Sequence, residues 1–130
     1  MRHLINPADN CVLLICEGHY SLDGVTTAWR EVQKAMAERE WERALVDVTA
    51  LRTNPDTDDL FDLAKLFWRD FPPGGRMALV VRWDESRSAK SVEMLVRTLG
   101  MWLTVFVSEA QGEAWVLEGT QDEQAVEAFA

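Results

Sequence analysis

The sequence predicts a single α/β domain, with a mixed, mostly parallel sheet of about five strands and four to five helices. Short apolar runs rich in β-branched residues alternate with longer segments in which apolar residues recur every three or four positions. That alternation indicates strands separated by helices, and hence mainly parallel strands. The chain has 130 residues, which is enough for one domain and too few for two. We therefore expect one domain over residues 1–130, with its core between about 10 and 118.

Four apolar runs are predicted to form strands of the sheet. They are residues 11–16, 44–48, 77–81 and 103–107. The last three lack polar alternation, which is typical of strands covered on both faces. Before the first run, residues 2–5 and the turn-forming residues 7–10 predict an antiparallel edge strand and a hairpin.

Helical periodicity predicts the segments between the strands. The periodic segments are residues 22–36, 60–71 and 92–99. Ser21 is the expected cap of the first helix, Pro72 is expected to end the second, and Gly100 to close the third. Ser108 opens a capping-box pattern, so a fourth helix is expected from there through Trp115. Residues 119–130 are expected to be a short fifth helix or a frayed tail.

Composition and charge exclude several classes of protein. The net charge is −9 and the pI about 4.6, and no cluster of Lys or Arg compensates, so the chain is expected to repel a nucleic-acid backbone. No run reaches the roughly 18 apolar residues of a membrane span, and the first residues lack the pattern of a signal peptide. We expect a cytoplasmic protein. Cys11 and Cys16 are five positions apart, so in one strand they point to opposite faces and form two separate buried thiols.

Four aspartates fall within seven residues, at positions 56, 58, 59 and 62. An EF-hand starting at Asp56 would need glycine at 61 and glutamate at 67, where the chain has phenylalanine. The letters also match a phosphatase D-x-D and an isoprenoid-synthase D-D-x-x-D, but the first does not follow directly on a strand and the second belongs to large all-helical enzymes. The pattern therefore predicts the acidic start of a helix, with Thr57 or Asp58 as its cap.

Chemistry-bearing residues are sparse elsewhere. His3 and His19 have no metal-ligand spacing, and no nucleophile elbow or phosphate-binding glycine loop is present. A nucleophilic pair of Cys16 and His19 is disfavoured because thiols within strands are usually inert. The sequence predicts no catalytic residue, metal or cofactor, and an enzyme is a minor alternative.

Aromatic residues cluster on the acidic helix. Phe61 and Trp68 are seven positions apart and are predicted to share one side of it. With Phe67 and Phe71 they form a packed core, a surface for a partner, or the wall of an apolar pocket. These alternatives stay open at this point.

The order of elements, residues 44–51 running into Asp56-Thr57-Asp58-Asp59-Leu60, and the close AWVLEG at 114–119 resemble the STAS domain family. That family includes the anti-sigma-factor antagonists and sulfate-transporter domains, with SpoIIAA-like and SEC14-like relatives. In the regulatory members a D-S-S-G-L segment opens the helix, and a partner kinase phosphorylates one of its serines to break a protein complex. By this resemblance Thr57 stands at the first serine, Asp58 at the usual phosphoacceptor and Asp59 at the glycine.

The resemblance implies a non-enzymatic regulatory module that binds a protein partner through the strand-end rim from Asp47 to Asp59. Homodimers are a further expectation. The alternative, suggested by the SEC14-like relatives, is a carrier for a small molecule or lipid. The expected site residues are Asp47, Thr49, Asp56, Thr57, Asp58 and Asp59, with Arg82, Arg87 and Lys90 as candidate counter-charges.

Overall fold

The computed structural model describes residues 1–118, and at Thr57 the backbone alone. It confirms the predicted α/β domain with a five-stranded sheet in the order β1-β2-β3-β4-β5. The strands are β1 Arg2–Ala8, β2 Cys11–Gly18, β3 Arg43–Leu51, β4 Arg76–Val80 and β5 Trp102–Phe106. Strands β2 to β5 are parallel, while β1 pairs antiparallel with β2.

The predicted hairpin is confirmed, with a longer first strand. Asp9 and Asn10 both have positive φ, 55° and 66°, which is the backbone of a two-residue turn matched to the twist of the strands. Strand β1 therefore continues to Ala8 instead of ending at residue 5. Pro7 is tolerated there because β1 is an edge strand.

Three helices cover one face of the sheet. They are α1 Leu22–Arg39, α2 Thr57–Trp68 and α3 Ser86–Thr98, the last preceded by a short 3₁₀ turn at Trp83–Glu85. Each is a crossover between neighbouring parallel strands, and right-handed crossovers that advance in one direction across a sheet all fall on the same side. Their apolar sides share one core with β2, β3 and β4, built around the fully buried Trp29.

A fourth helix, α4, covers the opposite face over residues 109–118. It begins where Ser108 Oγ accepts a hydrogen bond from Gln111 N at 3.3 Å, as the capping-box pattern predicts. Its Val116 closes a second, smaller core. That core contains Cys11, and the larger one contains Cys16, so the two free thiols lie on opposite faces as predicted. The predicted fifth helix or tail at 119–130 lies outside the described residues.

Three helix ends were predicted from single residues. Gly100 closes α3 as predicted, since it directly follows the C-cap residue Leu99 and has a φ of 94°. Ser21 caps α1 as predicted, since its Oγ accepts from Gly24 N at 3.1 Å. The second helix was predicted to run to Phe71 and instead ends at Trp68. Pro72 disfavours helical backbone at the residue before it, and Asp70 has a φ of 61°. Phe71 thereby leaves the helix and stacks on Trp29, with ring centroids 6.0 Å apart.

No helix within the described residues 1–118 is long and apolar enough to cross a membrane.

Candidate functional site

The carboxyl ends of β2, β3 and β4 meet at one end of the sheet, where the loops after these strands are tied together. Arg82, after β4, donates from Nη1 to the carbonyl oxygen of Leu51 and from Nη2 to Asn54 Oδ1 at 3.0 Å. Tyr20 N, after β2, donates to Thr53 Oγ1 at 2.8 Å. The loop that leads into α2 is therefore held from both sides.

Asp56 is the cap of α2, not Thr57 or Asp58 as the sequence predicted. Asp56 has an extended backbone, and its Oδ1 accepts from Asp59 N at 2.9 Å. Asp56, Thr57 and Asp58 all suit a cap chemically, so the conformation of the preceding loop decides which of them becomes the cap. The hydrogen bond from Arg82 to Asn54 fixes that loop two residues before Asp56. Asp58 and Asp59 then lie in the first helical turn, beside the positive end of the helix dipole.

Asp47 has a local role that the sequence did not reveal. Strand β3 runs three residues past the predicted end and contains an irregularity, because Ile15 pairs with Asp47 while Glu17 pairs with Ala50. One extra residue in β3 leaves a ladder N–H unpaired. Asp47 Oδ1 accepts from Thr49 N at 2.9 Å and from Thr49 Oγ1 at 2.7 Å. Asp47 is only 8% exposed, so the pair stabilises the bulge and is not part of the accessible acidic surface.

Of the three candidate counter-charges, one has a local structural role and two are exposed. Arg82 Nε lies 3.4 Å from Asp84 Oδ1, and its two terminal nitrogens donate to Leu51 and Asn54. Within the described residues, Arg82 therefore does not pair with the carboxylates at the start of α2. Arg87 and Lys90 are exposed on the first half of α3. Arg87 lines an open groove of about 320 Å³ between α2 and α3, together with Leu60 and Phe61.

The four candidate aromatics do not line one pocket. Phe61 and Trp68 are 53% and 45% exposed, and Trp68 Nε1 donates to the carbonyl oxygen of Leu99 at 3.1 Å. Phe67 and Phe71 instead pack around Trp29 in the core. The expected apolar feature is thus an exposed pair on α2 and a separate buried pair beneath it.

A cavity of about 80 Å³ lies beneath the α2-leading loop, with Tyr20 among its lining residues. The Tyr20 hydroxyl oxygen is buried and has no hydrogen-bond partner among residues 1–118. Burial, followed by the charges of Asp59, Asp56 and Asp62, raises the pKa of Tyr20 to about 12. The sequence analysis missed this residue. The sequence signal for Tyr20 is its position, since it is the single tyrosine of the chain and lies four residues after the predicted parallel strand 11–16, at the end of the sheet where ligands gather.

The thiol of Cys16, at this end of the sheet, is poorly suited to act as a nucleophile. Cys16 lines the cavity, but burial and then the charge of Asp47 raise its pKa to about 11, which keeps it a poorly nucleophilic thiol at neutral pH. Within residues 1–118 no three His, Cys, Asp or Glu side chains are grouped so that they could hold a metal ion.

Comparison with known proteins places the fold. No protein-family model matches the sequence, and no curated protein matches it significantly. Among solved structures, an anti-sigma factor antagonist from Mycobacterium paratuberculosis superposes with a TM-score of 0.64 at 14% identity, over 88% of this chain and 92% of that one. An uncharacterised DUF3478-family protein with a SpoIIAA-like fold, from Shewanella loihica PV-4, superposes with a TM-score of 0.57 at 13% identity and the same coverage. The chain therefore has the STAS/SpoIIAA-like fold that the sequence predicted.

Proposed function

We propose that this chain is a non-enzymatic regulatory module that binds a protein partner through the start of α2. The binding surface consists of Asp56, Asp58, Asp59 and Phe61. The observation that carries the proposal is that an acidic helix start, followed by a phenylalanine that is 53% exposed, stands on a loop held by Arg82 and Tyr20. A similar fold in a protein named as an anti-sigma factor antagonist supports a regulatory role.

The chemistry of this surface defines the partner. Aspartates at a helix start attract a basic surface and speed encounter, while an exposed aromatic ring supplies an apolar anchor of the kind that dominates binding energy. Because the loop is held in place before binding, little conformational entropy is lost on association. We therefore expect a partner with a basic surface around an apolar slot.

Charge reversal tests the surface. Capture experiments in lysate of the source cells would compare the unmodified chain with Asp58→Lys/Asp59→Lys. A partner purified from the first capture would then be measured by calorimetry, and we expect its affinity to fall at least about tenfold, since opposed like charges cost several kcal/mol. Phe61→Ala should weaken binding without changing net charge.

The matched control is Glu109→Lys/Glu113→Lys. It changes the net charge by the same amount on exposed positions of α4, on the other face of the sheet. Equal losses in both double variants would contradict the proposal, because they would show a response to net charge alone.

Asp58 is relevant to whether partner binding depends on phosphorylation. A carboxylate carries a permanent single charge, less than the roughly −1.5 to −2 of a phosphate. We propose that the surface is competent without phosphorylation. Native mass spectrometry of protein purified from its source cells tests this, and it also reports the homodimer expected from the sequence.

A lipid carrier is less well supported. The cavity beneath the α2-leading loop, about 80 Å³ in volume, is far below the roughly 300–1,000 Å³ typical of ligand pockets.

A further inference from the structure

Helix α4 covers only part of the width of its face of the sheet within residues 1–118. Its Val116 packs over β3 and β4 in the smaller core. Beyond that core, Leu4 of β1 pairs with Ile15 of β2. Both side chains lie on the α4 face, because Leu13, two residues before Ile15, contacts the smaller core. Leu4 is 61% exposed and the other two are half-buried, so these three residues form an open apolar strip of the kind that marks a docking surface.

The course of α4 brings the chain to one end of the open strip. Near the start of the helix, Gly112 lies against Val80 and Phe106, at the carboxyl ends of β4 and β5. In the last turn, Glu118 Oε2 lies 3.9 Å from Nη1 of Arg76, the first residue of β4. Helix α4 therefore runs over β4 toward the amino ends of the parallel strands, and the chain leaves it there.

Residues 119–130 have the sequence pattern of a turn followed by a short amphipathic helix. Gly119 suits the left-handed turn that commonly ends a helix. Thr120 and Glu123 form a capping-box pattern for a new helix. Val126 and Phe129, three positions apart, fall on one side of that helix. A helix this short is only marginally stable in water by itself, so it depends on a surface that buries its apolar side.

We propose that residues 121–130 form a helix that packs antiparallel to α4 and covers the open strip, with Val126 and Phe129 against Leu4 and Ile15. The occupant of the strip is thus a segment of this chain and not a separate partner. The proposal does not rest on the proposed partner surface, because α2 packs on the opposite face of the sheet.

The dimensions of the fold fit this arrangement. Neighbouring packed helices lie about 8–10 Å apart, which is about two strand spacings of roughly 4.8 Å. Two strands from β4 in one direction is β2, whereas in the other direction the sheet ends one strand away, at β5. A helix over residues 121–130 is about 15 Å long, similar to the roughly 13 Å of β2 between Cys11 and Ile15. It would therefore extend along β2 from the hairpin to Ile15.

NMR of the full chain, labelled with ¹⁵N and ¹³C, tests the docking. We expect helical ¹³Cα shifts over residues 121–130 and nuclear Overhauser contacts from the Phe129 ring to the methyl groups of Leu4 and Ile15. Phe129→Ala should lower the helical shifts by on the order of half, because a short helix without its packing surface is marginal. Alanine favours helix more than phenylalanine does, so a decrease would report lost docking and not lost propensity.

Two further variants separate docking from other causes. Leu4→Thr removes apolar surface from the strip while keeping a residue that suits strands. It should lower the helical shifts of residues 121–130 as Phe129→Ala does, although it lies far away in the sequence, and unchanged shifts in α1 verify that the domain is folded. Gln124→Ala is the matched control, because Gln124 falls on the opposite side of the helix from Val126 and Phe129. It should leave the helical shifts equal or higher.

The proposal is overturned if residues 121–130 lack helical shifts in the unmodified chain, if the Phe129 ring contacts Trp102 instead of Leu4, or if Gln124→Ala lowers helicity as much as Phe129→Ala. A second copy of the chain is the alternative occupant. Isotope-filtered contacts between Leu4 of a labelled chain and an unlabelled chain would establish that occupant and overturn the proposal. Charge reversal at the start of α2 should leave all these readouts unchanged, so failure of the partner surface and failure of this docking are distinguishable.

Discussion

At the residue scale, the start of α2 depends on one carboxylate. Asp56→Ala removes the acceptor for Asp59 N and should lower the free energy of unfolding by about 1 kcal/mol, within a range of roughly 0.5 to 2. Asp56→Asn should be nearly neutral because asparagine caps as well as aspartate. Urea unfolding of the purified variants measures both.

Asp58→Ala is the control for this prediction. Asp58 lies in the first turn and interacts with the helix dipole without capping, so its loss should cost less, about 0.3 to 1 kcal/mol. If Asp58→Ala proved more destabilising than Asp56→Ala, the cap would be misassigned.

The same residues show what a sequence can and cannot reveal about the site. The acidic helix start was predictable because cap and first-turn preferences are local. The register of the cap was not, since it depends on Arg82 reaching Asn54 across 28 positions of sequence. Asp47 and Thr49 looked like rim residues because a bulge that shifts strand pairing leaves no mark in the strand's own pattern.

At the element scale, α4 is fastened to the sheet by two arginines that begin adjacent strands. Arg43 Nη1 donates to the carbonyl oxygen of Val116 at 2.8 Å, and Arg76 Nη1 to that of Trp115 at 3.0 Å. The Arg76 guanidinium also lies 4.3 Å from the ring centroid of Trp102 and 5.2 Å from that of Trp115. Because the second core beneath α4 is small, these polar contacts carry a large share of its docking.

Arg76→Ala should loosen α4 and expose Cys11. The variant loses a charged hydrogen bond and two cation–π contacts, each worth on the order of 1 kcal/mol or more. Cys11 lies under α4 whereas Cys16 lies in the other core, so thiol labelling at pH 8 should accelerate at Cys11 alone. Equal acceleration at both thiols would indicate global destabilisation instead, and peptide mapping after alkylation distinguishes the two results.

At this scale the presence of each helix and strand was predictable, but the residues at which some of them end were not. Every strand and helix predicted within residues 1–118 is present, because the periodicity of apolar residues reports burial directly. Strand β3 and helix α2 end elsewhere than predicted, since one is extended by the pairing of Glu17 with Ala50 and the other is shortened by packing of Phe71 on Trp29. Both causes are tertiary contacts.

At the scale of the whole molecule, the two ends of the sheet carry different groups of contacts. The carboxyl ends of the strands hold the acidic surface, the Arg82 contacts and the cavity, while the amino ends hold the Arg43 and Arg76 contacts to α4. The covered β5 edge adds rigidity, because Glu93 accepts from Val105 N at 2.8 Å and Arg97 donates to the Leu103 carbonyl oxygen at 2.8 Å. Changes at one end of the sheet should therefore leave the other end intact.

Alkaline pH should destabilise the molecule through three buried acids. Burial raises the pKa of Cys11 to about 12, of Cys16 to about 11 and of Tyr20 to about 12, from ordinary values of 9.0, 9.0 and 10.0. Above pH 9 the unfolded chain releases these protons while the folded chain retains them, so the free energy of unfolding falls as pH rises. Below about pH 8 these groups are largely protonated in both states and contribute little pH dependence.

The contribution of the two thiols to this alkaline loss of stability is large enough to measure. Each can contribute up to about 1.4 kcal/mol per pH unit between its unfolded and folded pKa. Urea unfolding at pH 8, 9, 10 and 11 should therefore show a steeper decline for the unmodified chain than for Cys11→Ala/Cys16→Ala, whatever the stability of the variant at pH 8. Adding Tyr20→Phe should flatten the curve further above pH 10 only. Parallel curves for all three proteins would mean that the thiols and the phenol ionise as freely in the folded chain as in the unfolded one. That result would contradict the burial of these groups in the folded structure.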